Sequence, residues 1–434
     1  MPNTHATLSA LFTDVADAIR AKTGGSAAIV ADDYPDAIAA IPTGGGGGSV
    51  PANDVNFYDY DGAIVASYSA ADFADLSAMP ANPTHTGLTA QGWNWSLSDA
   101  KTYVASYGRL NIGQMYATSD GRTRLYIHLE EGRLAPYLGL AVNGTAAVDW
   151  GDGTSGTVTG SSTETVVSTQ HSYAAAGDYV VTVAVTGSMA LLGDSTAGSK
   201  TLWKNSATAN ENRVYQNAIR KLELGANTVV GDCAFYNCWS LSSLTLPSGT
   251  QSIGENAFYG CYALLSVTLP GGMTDVGIGA FYRCYSLSSA AISSSVENIG
   301  ENAFYQCYSL LSATLPSGMT LVDEYAFYQC YALSFVTIPD GVTTIASSAF
   351  GTCSSLSSVT IPSSVTNIVM QTFAKNYGLG SIRFERNTPP SVAASNAFTS
   401  LPADCVIYVP SASLNAYKSA SNYPSASTYT YVGY

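Results

Sequence analysis

The 434-residue sequence predicts a multidomain, mainly β protein whose C-terminal half is a solenoid of 23-residue repeats. Three observations predict it. Phe235, Phe258, Phe281, Phe304, Phe327, Phe350 and Phe373 recur at one spacing with no insertion or deletion. Short runs of period-two alternation, the signature of strands with one buried face, occur along most of the chain. Only 11% of residues are charged and 46% are hydrophobic, a balance that suits β-rich extracellular modules better than a helical enzyme.

Taken in order, residues 1–43 read as a small helical anchoring or docking unit. Leu8, Leu11, Phe12, Val15, Ala16 and Ile19 fall at helical spacing, Gly24 suits a stop, and a second short helix starts near Pro35. So few residues rarely support their own core, so the unit is expected to dock on an anchoring partner or to oligomerise. Met1 to Gly24 lacks a basic stretch followed by a continuous apolar run, and no secretory signal is read there. Residues 44–52 are a Gly-rich linker.

Residues 53–120 form a β-rich domain with no legible role. Strands are expected over Val55 to Tyr60 and Ala63 to Tyr68, joined by a turn at Asp61-Gly62, with a helix from Ser98 to Ser106. Asp59, Asp61 and Gly62 look like the start of a calcium loop but lack its closing Glu. Trp93 and Trp95 are assigned to a core. Residues 121–195 carry Asp149-Trp150-Gly151-Asp152-Gly153, then His171-Ser172-Tyr173, then Gly177-Asp178-Tyr179-Val180-Val181. These blocks resemble a PKD domain, which implies an immunoglobulin-like β-sandwich acting as a spacer or adhesion module, with Trp150 and Tyr173 structural.

Over residues 213–384, Cys238, Cys261, Cys284, Cys307, Cys330 and Cys353 follow each Phe by three places, with Asn376 in the last copy. Leu241 to Leu379 follow by three more, and pairs such as Val267/Leu269 and Val359/Ile361 then run into Pro270 and Pro362. The spacing of three predicts a short helical turn, the alternation a strand, and Pro the strand's end. No single coil buries its apolar side alone, so coils must stack into a parallel ladder with strands about 4.8 Å apart. The pattern Ala-Phe-x-x-Cys-x-x-Leu-x-x-Leu-x-Leu-Pro resembles the BspA-type leucine-rich repeats of bacterial surface proteins, which implies adhesion and partner binding without catalysis. Residues 385–434, with Asn387-Thr388-Pro389-Pro390 and Cys405 to Pro410, resemble that family's terminal cap of extra strands and a short helix. Ala16 to Gly24 with Asp33 to Ile38 resembles the N-terminal segments of phage tail-associated proteins.

The net charge of −14 argues against nucleic acid, and no segment approaches the ~20 apolar residues of a membrane span. His5, His85, His128 and His171 are scattered, and no phosphate loop, nucleophile elbow or zinc motif occurs, so no catalytic residue, metal or cofactor is expected. The eight cysteines are expected as free buried thiols, because equivalent positions on stacked coils fit disulfide geometry poorly. The candidate ligand-binding surface is two aromatic columns. Tyr236, Tyr259, Tyr282, Tyr305 and Tyr328 follow each Phe, and Trp239, Tyr262, Tyr285, Tyr308 and Tyr331 follow each Cys. A second surface, the small, nearly uncharged strand face of Ser243, Ser266, Ser289, Ser312, Phe335 and Ser358 with Thr245, Thr268, Thr314, Thr337 and Thr360, is either a protein or glycan contact or inert. The sequence thus points to a non-enzymatic receptor-binding protein, a phage tail or fibre component that engages a host-surface protein or glycan. Two alternatives stand beside it: a bacterial cell-surface adhesin, and a structural fibre or decoration subunit that assembles through its Tyr ladders.

Overall fold

The computed structural model describes residues 54–60, 63–194, 198–204 and 213–434. The helical unit and linker expected over residues 1–52 lie outside the described residues, as does the turn Asp61-Gly62.

The first strands, β1 (Val55–Tyr58) and β2 (Ile64–Tyr68), pair antiparallel. Helix α1 (Ala70–Ala74) starts at Ser69, whose hydroxyl accepts the Asp72 amide. After β3 (Leu88–Trp93), Ser96 caps α2 (Leu97–Tyr107) in the same way, and Gly108 ends it at φ 81, a conformation glycine reaches without a Cβ penalty. The last strand, β4 (Leu110–Thr118), runs parallel to β1 and antiparallel to β3, giving the order β2-β1-β4-β3. Phe57, Phe73, Trp93, Trp95 and Ile112 make its core.

Four long strands follow, β5 (Thr123–Leu129), β6 (Tyr137–Asp149), β7 (Ser155–Gln170) and β8 (Gly177–Leu191), hydrogen-bonded antiparallel along the path β5-β8-β6-β7. Trp150 and Tyr173 are buried, and the Tyr173 hydroxyl donates to Trp150 O at 3.0 Å. Instead of standing apart as a spacer, this sheet gives both of its inner edges to the solenoid. β5 pairs antiparallel with Ile219–Glu223, and the end of β8 pairs parallel with Thr228–Val230. One apolar core runs unbroken from Leu125 through Phe235 to Tyr431. The segment is therefore the N-terminal cap of the repeat stack.

The solenoid has about 9 turns and two parallel ladders. The longer strands, such as Ser266–Leu269 and Ser289–Ile292, align equivalent residues, with Val267 opposite Ala290. A second ladder of two-residue strands, such as Asp275–Val276 and Asn298–Ile299, carries the buried Val and Ile column ahead of each Phe. The sequence shows this column only as a recurrence ahead of each Ala-Phe, because two residues are too few to show a strand period. Each Pro stops its strand and accepts an amide three residues on, as Met273 donates to Pro270 O at 3.0 Å.

The expected helical turn at Phe-x-x-Cys-x-x-Leu is not a helix. Cys284 N–H donates to Phe281 O and Leu287 N–H to Cys284 O, so the spacing of three is real. Left-handed residues interrupt it on both sides of each Phe. Two places before sit Asn256 (φ 52), Asn302 (φ 59) and Ser348 (φ 54), and two places after sit Asn237 (φ 59), Arg283 (φ 58) and Thr352 (φ 60). The reversal turns backbone amides along the stacking axis. Arg283 N–H donates to Tyr305 O and Phe281 N–H to Ala303 O, each at 2.8 Å in the next coil. The cost of about 1 kcal/mol per left-handed side chain is offset by a bond that an intracoil helix would have spent internally.

Beyond Phe373 the stack continues through Phe398, whose ring lies 5.9 Å from it. Its spacing from Phe373 is longer than the repeat, which placed it outside the register read from sequence. The strands Ser391–Val392, Val406–Val409 and Thr430–Gly433 and helix α3 (Leu414–Ser419) complete the C-terminal end.

Candidate binding surface

The corner turns place one side chain of each kind per coil at fixed height. Phe235 to Phe373 and Cys238 to Cys353 are fully buried. Each thiol from Cys261 to Cys353 donates to the carbonyl of the Phe in the preceding coil, as Cys307 Sγ does to Phe281 O at 3.3 Å. Asn376 keeps that bond in the coil lacking Cys, donating from Nδ2 to Phe350 O at 3.0 Å, and its Oδ1 accepts the Cys353 amide at 2.7 Å. All eight cysteines are buried, and none forms a disulfide. Burial pushes up the thiols of Cys238 to Cys353 and of Cys405, to about 12 for Cys353.

With Phe and Cys turned inward, the neighbouring positions turn toward solvent. All ten aromatic candidates are half-buried. Tyr236, Tyr259, Tyr282, Tyr305 and Tyr328 form one column, with ring centroids 4.6, 4.7, 4.5 and 5.2 Å apart. Trp239, Tyr262, Tyr285, Tyr308 and Tyr331 form the other, at 5.9, 4.7, 4.8 and 4.8 Å. Most pairs are within about 11° of parallel, so each ring face is covered by its neighbours. Ring edges and hydroxyls are what the strip presents. Burial holds the Tyr262 and Tyr305 phenols up at about 12, so they remain hydroxyls at neutral pH. The strip fades at the last coils, where Gly351 and Ser354 replace tyrosines and Tyr377 stands 62% exposed.

A polar ladder that sequence reading missed runs between the columns. Arg283 Nε donates to Gln306 Oε1 at 3.0 Å, Gln306 Nε2 to Gln329 Oε1 at 2.8 Å, and Gln329 Nε2 to the Tyr331 hydroxyl at 3.0 Å. No residue type in it signals the left-handed backbone at Arg283, Gln306 and Gln329 that projects these side chains between the two columns.

The strand face is not the open surface the sequence suggested. From the first coil to the fifth, β4, α2 and the loops beside them lie on it, with the Arg109 guanidinium over the Phe335 ring at 4.9 Å and the Asp340 amide donating to the Tyr107 hydroxyl at 2.8 Å. Asn111 donates to Ser312 Oγ, the Trp95 indole donates to Ile292 O at 2.9 Å, and the Tyr103 hydroxyl donates to Leu315 O at 2.9 Å. Ser266 donates to Tyr60 O at 2.7 Å and Ser293 to Asn94 O at 2.8 Å. Ser266, Ser289, Ser312, Thr245 and Thr314 are consequently buried, while Ser358 and Thr360, past the edge of this lid of chain, are exposed. A short polar strand face carries no record of what will cover it.

Elsewhere, aspartates and histidines hold turns. Asp59 accepts the Tyr116 hydroxyl and pairs with His85 at 2.7 Å. Asp152 accepts from Thr154 and pairs with His171 at 2.7 Å, which holds its carboxyl down at about 2. Asp149 accepts the Gly151 amide. Among the described residues no helix is long and apolar enough to cross a membrane.

The fold and its ladders define a leucine-rich repeat solenoid. Residues 228–354 and 321–403 match the BspA type leucine-rich repeat region, in 6 copies, and this part of the chain is a repeat region of that family. Among solved structures, a leucine-rich repeat protein from Bacteroides ovatus is 23% identical over 48% of this chain and 54% of its own, with a TM-score of 0.40. This chain thus spans about half of that protein's length. The T. pallidum leucine-rich repeat protein is 24% identical over 42% of this chain and 82% of its own, with a TM-score of 0.31. A leucine-rich cell surface protein from Faecalibacterium prausnitzii is 19% identical over 50% and 84%, with a TM-score of 0.28. No curated protein matches the chain.

Proposed function

We propose that the chain is a non-enzymatic, surface-exposed binding protein that contacts a partner protein through the tyrosine strip. The observation that carries this reading is the pair of half-buried aromatic columns, which no other described segment of the chain covers. Stacked tyrosines are rigid, so little side-chain entropy is lost when a partner settles on them. Stacked rings also hide the faces on which a sugar would lie, while their edges and hydroxyls suit the aromatic, carbonyl and amide groups of a protein. A cell-surface setting agrees with the family of the repeat region. The tail-fibre setting rested on residues 1–43, outside the described residues.

Beads coated with the full chain, applied to intact bacterial and epithelial cells, test the proposal. Replacing Tyr259, Tyr282 and Tyr305 together by Ser should lower bead retention at least tenfold with the sedimentation coefficient unchanged. Unchanged retention would sink the reading, and a changed sedimentation coefficient would favour assembly through the ladders.

A further inference from the structure

Arg283 is the only Lys or Arg between Lys221 and Lys375. It lies in the third coil, between the two aromatic columns, half-buried beside Tyr259, Tyr262, Tyr282 and Tyr285. Its guanidinium sits 5.4 Å from the Tyr282 ring centroid, and its Nε is committed to Gln306. The two Nη groups have no acceptor among the described residues, and no carboxylate pairs with them. Asp232, Glu255, Glu301 and Glu324 occupy equivalent turn positions of other coils, and none of them is its partner. A partly desolvated cation with its fork unfilled, held in place by a chain of amides, is arranged to receive an anion.

We infer that Arg283 receives a single carboxylate, carried by an Asp or Glu side chain on a peptide segment of the partner protein. The inference rests on the tyrosine strip being the contact surface. A planar guanidinium meets a carboxylate through two parallel bonds, and the positive rims of the surrounding rings favour the same oxygens. The acidic turn residues and the charge of −14 repel a polyanion, so one carboxylate on an otherwise uncharged or basic segment fits better than a uronate-rich or sulfated glycan. The polar ladder gives the site direction, since every amide donates toward Tyr331 and leaves the Nη fork as its free donor end.

The test is selection from a random twelve-residue peptide library on the full chain, on R283Q and on Tyr282→Ser. Gln already occupies this position as Gln306 and Gln329, so R283Q should keep the wild-type melting temperature. Wild type should enrich peptides with one Asp or Glu, and R283Q should bind those peptides at least tenfold more weakly. Selected peptides without an acid, or equal binding by R283Q, would overturn the inference. Peptides lost on Tyr282→Ser but indifferent to R283Q would do so while leaving the strip reading intact. If wild type enriches nothing that Tyr282→Ser loses, both fall. Capture on heparin or polygalacturonate beads that R283Q abolishes would overturn the peptide assignment in favour of an anionic glycan.

Discussion

Single residues in this stack are constrained by the coil above and below more than by their sequence neighbours. Thr352 shows it. A β-branched side chain at φ 60 is among the more strained choices for a left-handed position, yet its amide must point to Ala374 O at 2.8 Å. Thr352→Asn keeps the amide and suits the conformation better, and should raise stability by about 0.5–1 kcal/mol in urea unfolding. A loss of stability would mean that the backbone there is not left-handed. The opposite case is Phe304, fully buried between Phe281 and Phe327 at 5.4 and 5.3 Å. Phe304→Ala removes both stacking partners' contacts at once and should cost about 3–5 kcal/mol.

At the scale of the element, the thiol ladder sets an alkaline limit. The Cys353 thiol, ordinarily ionising near 9.0, is held up to about 12 by burial. An unfolded chain therefore ionises its thiols first. Stability should be full below pH 9 and drain away as pH rises from about 9 to about 12, with the buried phenols adding to the loss above pH 10. Urea midpoints measured across that range check it, and a flat profile would contradict free, buried thiols. Both the ladder and the aromatic columns were legible from sequence because an unbroken register turns one-dimensional spacing into vertical neighbours. The turn type was not, since a spacing of three fits a helix and a pair of tight turns equally well. Only the left-handed residues separate the two, and Arg283, Gln306 and Thr352 carry no such mark in their side chains. Arg283 itself was passed over for the same reason.

For the whole molecule, the relation between segments was the least legible part. The register located the coils, but nothing in Ser266 or Ser312 announced that β4 would lie across them. Gly113 is the point of closest approach. A Cβ there would meet Thr268 Oγ1 at 2.5 Å and the Ala291 Cβ at 2.6 Å. Gly113→Val should wedge this domain off the strand face and speed amide exchange in Ser266–Leu269 and Ser289–Ile292. Binding through the tyrosine strip, on a different part of each coil, should change little. Exchange rates equal to wild type would show that the contact is not as close as described.

The seam between the domain ending in β4 and the first five coils has a mechanical consequence. A protein that holds a partner at a surface bears tension, and coils tied to neighbours only by parallel ladders peel away singly under it. Each released coil would lengthen the tether by about 80 Å, from 23 residues at roughly 3.5 Å each. The coils after Pro339 should yield this sawtooth in an optical trap, whereas those bridged by Trp95, Tyr103 and Asn111 should give way together in one larger step at higher force. The anchored coils, which include the rung bearing Arg283, would then keep their grip after the outer ones had unravelled.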